Sequence, residues 1–492
     1  MSKVDFVRPA HFRGQFVFGG RDGDRSDGAG TVVESVGQAN VVRHEPCPSI
    51  AVHDAAGARI GLMLGHPIDL VRGVVPSGRY DVPAVIGNDI DAFVEEQIHA
   101  NLSGSYLFIL SHGNHRRVYL DAGGSMSAVY DPEAGRVAAS TRLLLDDEAY
   151  RGRFDSELHA FLEVSREGWF PAGLTAHRGI GRLQANHYLD LDSWEQRRHW
   201  PRGPVPEVSD PVDSSRRAGM AVRGTIDALR SSGRVAMALT GGNESRLLLA
   251  VCRDIAQELD FVMVDNPNQD VDHVLAEQLA GRFGLKHRFL PSVDASAEEM
   301  ADYVNRAGHC MGDARARKFP SVYPMAEYGF FLNGVGGGVG RGFFWRKNDT
   351  ATTRIDARAL TTRLGMPVHD RVVQAVDDWL QGTQAVDTLQ MLDLAFLELR
   401  MAPWAFANAY GVPEVTHVHP LISRPVFETM IGLPPEWRRS GRLTASVVEQ
   451  FWPELSAVRV NRYGDFRDLV RVARRVWSDP SLVTKKIRRK YA

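Results

Sequence analysis

Charge of one sign is missing from this chain. Its 492 residues carry 58 Lys and Arg against 60 Asp and Glu, whereas a dedicated nucleic-acid binder shows a basic excess. Cysteine is scarce. Cys47, Cys252 and Cys310 form an odd, widely spaced set that supports neither a disulfide framework nor a zinc site. No stretch reaches the ~18 apolar residues that a membrane span needs. The segment from Met1 to Pro9 has no apolar core of signal-peptide length. Together these absences predict a cytoplasmic protein with no transmembrane segment and no nucleic-acid partner. A Walker A loop, a His-Glu-x-x-His helix and a Gly-x-Gly-x-x-Gly turn are also missing. That leaves little for a Walker-type, zinc-hydrolase or nicotinamide reading. No fixed-period repeat occurs.

What is present is an ordinary globular composition, 44% hydrophobic and 24% charged, in a chain longer than one core usually organises. Two domains are expected, over 1–200 and 201–492. Residues 1–150 read as β-rich, with strands at 15–18, 59–64, 105–110 and 117–121, the last two forming a hairpin. Residues 89–99 read as a helix with Ile90, Phe93, Val94 and Ile98 on its apolar face. Gly179, Gly181, Pro201, Pro204 and Pro206 make 177–210 a connector. Beyond it, strand and helix alternate. Helices are expected at 214–229, 245–258, 271–283 and 295–306, and strands at 234–239, 261–264, 287–290 and 328–332. Such alternation is the pattern of a parallel α/β sheet.

Ligands of open parallel sheets sit at the carboxyl ends of the strands, and two glycine loops fall there. The first is Thr240-Gly241-Gly242-Asn243-Glu244-Ser245. Gly241 and Gly242 let the backbone turn sharply and aim N–H groups at an anion. The helix beginning near Ser245 adds its positive end. Thr240 and Ser245 add hydroxyls. The loop reads either as a pyrophosphate cradle or as a tight strand–helix turn that uses glycine only for geometry. The second loop runs Asn333-Gly334-Val335-Gly336-Gly337-Gly338-Val339-Gly340-Arg341-Gly342. It reads as a loop for close backbone approach to a ligand, or as a flexible surface loop.

Leu239-Thr240-Gly241-Gly242-Asn243-Glu244-Ser245-Arg246 resembles the Ser-Gly-Gly-x-Asp-Ser loop of the asparagine synthetase superfamily, which also holds β-lactam synthetases and lasso-peptide cyclases. Colinear segments resemble it too. These are Asp272-x-x-x-Ala276 with Leu279-Ala280-x-x-Phe283-Gly284-Leu285-x-His287, Leu332 to Gly338, and His419-Pro420-Leu421-Ile422-Ser423-Arg424 with Leu433-Pro434. In the first half, Gly104-Ser105-Tyr106, Leu120-Asp121-x-x-Gly124 and Ala139-Ser140 resemble the class II glutamine amidotransferase domain.

The resemblance implies an α+β Ntn-hydrolase-like sandwich followed by an α/β parallel-sheet ATP-pyrophosphatase domain with a helical C-terminal part. It implies ATP and Mg2+, and adenylation of a small-molecule or peptide carboxylate followed by attack of an amine. Thr240, Gly241, Gly242, Asn243, Ser245, Val264, Gly334, Gly336 and Arg462 would bind ATP or pyrophosphate. Glu244 would bind the metal. No catalytic residue is assigned. A partner protein or a second copy of the chain completes the expected partners.

Three positions depart from that family. Ser2 stands where the glutaminase has its nucleophilic cysteine, and a hydroxyl ionises far less readily than a thiol, so ordinary glutamine hydrolysis is not expected. Gly338 takes the place of the second-loop acid. Thr416 takes the place of a later glutamate, with Glu414 two residues off. Glu244 itself is one methylene longer than the usual aspartate, and magnesium demands near-ideal octahedral geometry. A second reading follows, a catalytically degenerate scaffold that binds nucleotide or a partner. Elsewhere, Asp22, Asp24, Ser26 and Asp27 read as a solvated loop. The basic tail at 485–490 reads as a solvated helix end or a weak contact to anionic lipid. His112 with His115 belongs to a hairpin turn, and His417 with His419 to one face of a short strand.

Overall fold

Leu102–His112 is buried along almost its whole length, so it shows none of the apolar–polar alternation of a half-exposed strand. The reason is that both of its faces are covered. Leu107 and Ile109 point into the main apolar cluster with Val118 and Leu120. Tyr106, Phe108 and Leu110 point the other way, with Tyr119, Ile90, Phe93 and Val94. The computed structural model of the chain describes residues 6, 11–19, 30–37, 39–164, 168–265, 270–312, 316–463, 465 and 467–468. Ser2, the acidic loop at 22–27 and the basic tail at 485–490 lie outside these residues.

The protein is a mixed α/β molecule, with three sheets among the described residues. The seven-stranded sheet runs Gln196–Arg198, His187–Asp190, His115–Leu120, Leu102–His112, Arg59–Asp69, Ser49–His53 and Gly78–Asp81. It is antiparallel except where Ser49–His53 meets Gly78–Asp81. The six-stranded sheet runs Gly181–Arg182, Val129–Asp131, Arg136–Ala138, Phe16–Gly19, Ala39–His44 and Thr31–Val36, and is antiparallel throughout. Phe16, Phe18 and Val41 of this sheet share the cluster of Leu107 and Ile109. Val17 and Val42 instead pack outward on Leu144, Leu145 and Tyr150. Two sheets thus face each other with helical segments on both outer faces, the packing that buries sheets on both sides.

The stretch expected as a connector is corrected by the structure. Residues 177–210 supply strands to both antiparallel sheets, ending at Arg198. Gly179 and Gly181 flank and open the first of these strands, whereas Pro201, Pro204 and Pro206 fall in the irregular stretch between Arg198 and the helix at Pro211.

From residue 211 the character changes. Asp210 caps the Pro211–Ser232 helix by accepting from the amides of Val212 and Asp213, which satisfies donors that the first helical turn leaves open. The third sheet is wholly parallel. Its order is Lys286–Leu290, Asp260–Val264, Val235–Ala238, Phe330–Leu332 and His417–Val418. The helix expected over 245–258 is shorter, Asn243–Ala250. Past it the amides of Cys252, Ile255 and Glu258 bond three residues back, the tighter winding that ends many helices. Among the described residues, no helix is long and apolar enough to cross a membrane.

Buried polar knots join the two halves. The carboxylate of Glu398 accepts from Arg198 at 2.7 Å through each oxygen, from Asn186 at 2.9 Å and from the Trp379 indole at 2.7 Å. Glu95 accepts from Nε of Arg424 at 2.8 Å and lies 2.6 Å from Nδ1 of His199. The main apolar cluster also runs unbroken from the sandwich into the parallel sheet.

Candidate functional site

Val235–Ala238 is the middle strand of the parallel sheet, and the first glycine loop leaves its carboxyl end. Gly242 is the N-cap of the Asn243–Ala250 helix. Gly241 has no room for a side chain, since a Cβ would lie 2.5 Å from Cδ1 of Leu275. The loop is held by its own groups. Oγ of Ser245 lies 2.9 Å from Oγ1 of Thr240 and accepts from the Thr240 amide at 3.2 Å. Oγ1 of Thr240 accepts from the Gly242 amide at 3.1 Å. The Gly241 amide donates to Oδ1 of Asp272 at 3.0 Å. A carboxylate oxygen thus already rests on one of the two expected anion-binding amides. Asp272 belongs to the colinear sequence match, yet nothing in its spacing assigns it this place.

The second loop wraps around Glu244. A Cβ on Gly334 would lie 2.3 Å from Cβ of Glu244, and one on Gly337 2.5 Å from its Cγ. These glycines are needed because the Glu244 side chain occupies the space. Gly336 has φ +109° and lies against Leu421 and Ile422, a conformation that favours glycine. The carboxylate of Glu244 ends in an ion pair with Arg341 at 2.5 Å, and both side chains are about a third exposed or less.

Gly338, where the resemblance puts an acid, abuts an aromatic ring. A Cβ there would lie 2.5 Å from Cζ and 2.7 Å from Cε1 of Phe396. Thr416 sits at the strand edge, its carbonyl accepting from the Phe331 amide. Glu414 is half-buried, and its Oε2 has no hydrogen-bond partner. Asp349 is committed elsewhere, to Arg363.

The other expected site residues converge in part. Asn333 follows the Phe330–Leu332 strand, and its Oδ1 lies 2.7 Å from Nδ1 of His419. Burial drives the His419 pKa down to about 3, so that ring is neutral. Val264 is half-buried at the carboxyl end of the neighbouring strand. Arg462 is exposed, and the residue before it touches the loop: the amide of Asn461 donates to the Gly241 carbonyl at 2.9 Å. Arg246 makes that approach. Its buried guanidinium donates to the carbonyls of Leu455 at 2.9 Å, Val458 at 2.8 Å and Arg459 at 3.1 Å. Burial lowers its pKa to about 10, which leaves it charged at neutral pH.

Among the described residues, one group has metal-ligand spacing, Glu95 with His99 and His199. Its carboxylate already carries the Arg424 guanidinium.

No family model and no curated protein matches the chain. Among solved structures it is similar to that of NMN synthetase from Francisella tularensis, at 11% identity over 42% of this chain and 94% of that one. The TM-score is 0.18, a likeness too slight to bear on fold or function.

Proposed function

We propose that the chain is an ATP-dependent, AMP-forming amide ligase of the asparagine synthetase type, with the amidotransferase-like part over 1–200 and the ATP-pyrophosphatase part over 201–492. The observation that carries this reading is the convergence at the carboxyl ends of two neighbouring parallel strands, Val235–Ala238 and Phe330–Leu332. The Thr240-Gly241-Gly242 turn, the second glycine loop and the segment bearing Arg462 meet there, where ligands of parallel sheets bind. In the reaction, a carboxylate oxygen of the substrate attacks the α-phosphorus of ATP and pyrophosphate leaves. An amine then attacks the acyl carbon, a proton is lost from nitrogen, and AMP departs. Asn243 would present its backbone amide to the pyrophosphate, and Gly241 and Gly242 would do so on exchanging their acceptors, Asp272 and Thr240, for phosphate oxygens. Thr240 and Ser245 would turn their hydroxyls outward from each other, and Arg462 would pair with phosphate oxygens. Val264, Gly334 and Gly336 would line the remainder of the nucleotide site. Ser2 offers no thiolate for glutamine hydrolysis, so the amine comes free or on the substrate.

Carboxylate-dependent exchange of labelled pyrophosphate into ATP tests the reading. Exchange with some member of a broad carboxylate panel supports it. No exchange together with no ATP binding sinks it. The second reading, a degenerate scaffold that binds nucleotide or a partner without catalysis, draws on one observation. The Phe396 ring fills the space toward which an acid at position 338 would point. ATP binding without exchange on any carboxylate would favour it.

A further inference from the structure

The residues at this site do not fit the magnesium that the resemblance implies. A two-acid site holds the cation between carboxylates on the two loops, and carboxylate oxygens on a magnesium lie ~2.0–2.1 Å from it. Here the second acid is Gly338, with Phe396 against it. The first acid, Glu244, faces a guanidinium. Between the two loops the charges nevertheless balance in the same way, the Asp272 carboxylate on the Gly241 amide standing outside that pair. Two carboxylates and a dication sum to zero, and so do one carboxylate and one arginine. The sequence changes also interlock in space. Arg341 lies on the same loop as Gly338. Glutamate, longer than aspartate, runs along the surface that Gly334 and Gly337 leave bare, and so reaches Arg341.

We infer that this cradle takes its polyphosphate without magnesium, with Arg341 as the resident cation and Glu244 as its counter-ion rather than a metal ligand. The inference rests on the nucleotide reading above. Arg341 is suited to the role. One of its terminal nitrogens holds Glu244, and its side chain is 34% exposed, so the guanidinium end is reachable. Oε2 of Glu244 lies on the side of Gly242, where a Cβ would come within 3.6 Å of it. An unpaired carboxylate there would repel an incoming phosphate, so its neutralisation by Arg341 is a condition for binding. An arginine also offers planar, directed donors that match phosphate oxygens, which a hydrated dication does not need.

The experiment is calorimetric binding of inorganic pyrophosphate and of ATP to the full chain, in EDTA and in excess magnesium. Wild type is expected to bind equally well in EDTA, within about twofold. Glu244→Gln frees Arg341 and is expected to tighten binding in EDTA by about three- to tenfold, since a like charge leaves the site. Arg341→Met is expected to lose at least about tenfold in EDTA, and Arg341→Lys, which keeps the charge but not the planar donors, to recover only part of that loss. Thermal melts of each variant separate lost affinity from lost folding.

Binding by wild type only in magnesium, abolished by Glu244→Gln, would overturn the inference and leave the nucleotide reading intact. No binding of pyrophosphate or ATP under either condition would remove the nucleotide reading itself, and the inference with it.

Discussion

The guanidinium of Arg246 donates to the carbonyl of Val458 at 2.8 Å. That bond, with those to Leu455 and Arg459, ties the first glycine loop's helix to the segment that carries Asn461 and Arg462. Arg246→Ala strands three carbonyls, each costing about 1–3 kcal/mol if left buried and unpaired. Some will regain water, so a loss of roughly 3 kcal/mol in urea unfolding is expected. Pyrophosphate affinity should fall as well, because Asn461 loses its anchor beside Gly241. Arg246→Lys keeps the charge but cannot span three acceptors in a plane, and should recover less than half of the stability. An Arg246→Ala protein as stable as wild type would show that the segment docks by other means.

Gly338 and Phe396 form a coupled pair. Gly338→Asp drives a side chain into the Phe396 ring, and overpacking of this kind costs about 1–3 kcal/mol. It is not expected to create a magnesium site by itself. In the Phe396→Ala background the same aspartate has room, and its cost should fall by about 1 kcal/mol or more. A double-mutant cycle from chemical unfolding measures the coupling. Strict additivity would mean that the ring moves aside freely.

The parallel half was legible because short apolar runs such as Val235–Ala238 and Asp260–Val264 alternate with helical patterns, and such runs are buried on both faces. The sandwich was harder. Thr31–Val36 is partly exposed along most of its length, so it carries no hydrophobic signal, and its register comes from its partner Ala39–His44. The 177–198 part of the expected connector misled because its strands are only two to four residues long and carry too few apolar residues to signal themselves. At the site, the Thr240-Gly241-Gly242 turn and the absence of an acid at Gly338 could be read directly. Arg341 as the partner of Glu244, and Phe396 against Gly338, could not. Both depend on which distant loops and helices the fold brings together, and local pattern carries no trace of that.

The Glu398 knot should decide whether the halves stay docked. Its carboxylate is fully buried and holds Arg198, Asn186 and Trp379 at once. Glu398→Ala leaves the Arg198 charge buried without its partner, an arrangement that typically costs about 3–5 kcal/mol. Because Arg198 belongs to the sandwich and Glu398 to the helical region that follows the parallel sheet's first four strands, limited proteolysis should then release one half before the other. Cooperative loss of both halves in one transition, at wild-type denaturant, would show that the shared apolar core alone holds them.

Acid should unfold the protein well above the pH range in which ordinary carboxylates titrate. His99, His177, His187, His417 and His419 are all buried. Burial lowers their pKa values from 6.5 to about 3, 3, 3, 4 and 3 in that order. Each binds a proton more readily unfolded than folded, so stability is intact above pH 6.5 and declines as pH falls below it. At pH 5 each histidine removes about 2 kcal/mol, roughly 10 kcal/mol in all. Two groups act in the opposite sense. Burial raises Asp121 to about 6 and Asp393 to about 7. Folded protein therefore takes up their protons first, and they return about 4 kcal/mol by pH 5. The net loss of roughly 6 kcal/mol is comparable with the whole stability of an ordinary domain. Denaturant unfolding should be nearly flat from pH 7 to 8 and should weaken steeply between 6.5 and 5. His417→Phe, which removes a ring with neither nitrogen bonded, should flatten that slope by one histidine's share. Equal stability at pH 5 and pH 7.5 would show that these rings reach water in the folded protein.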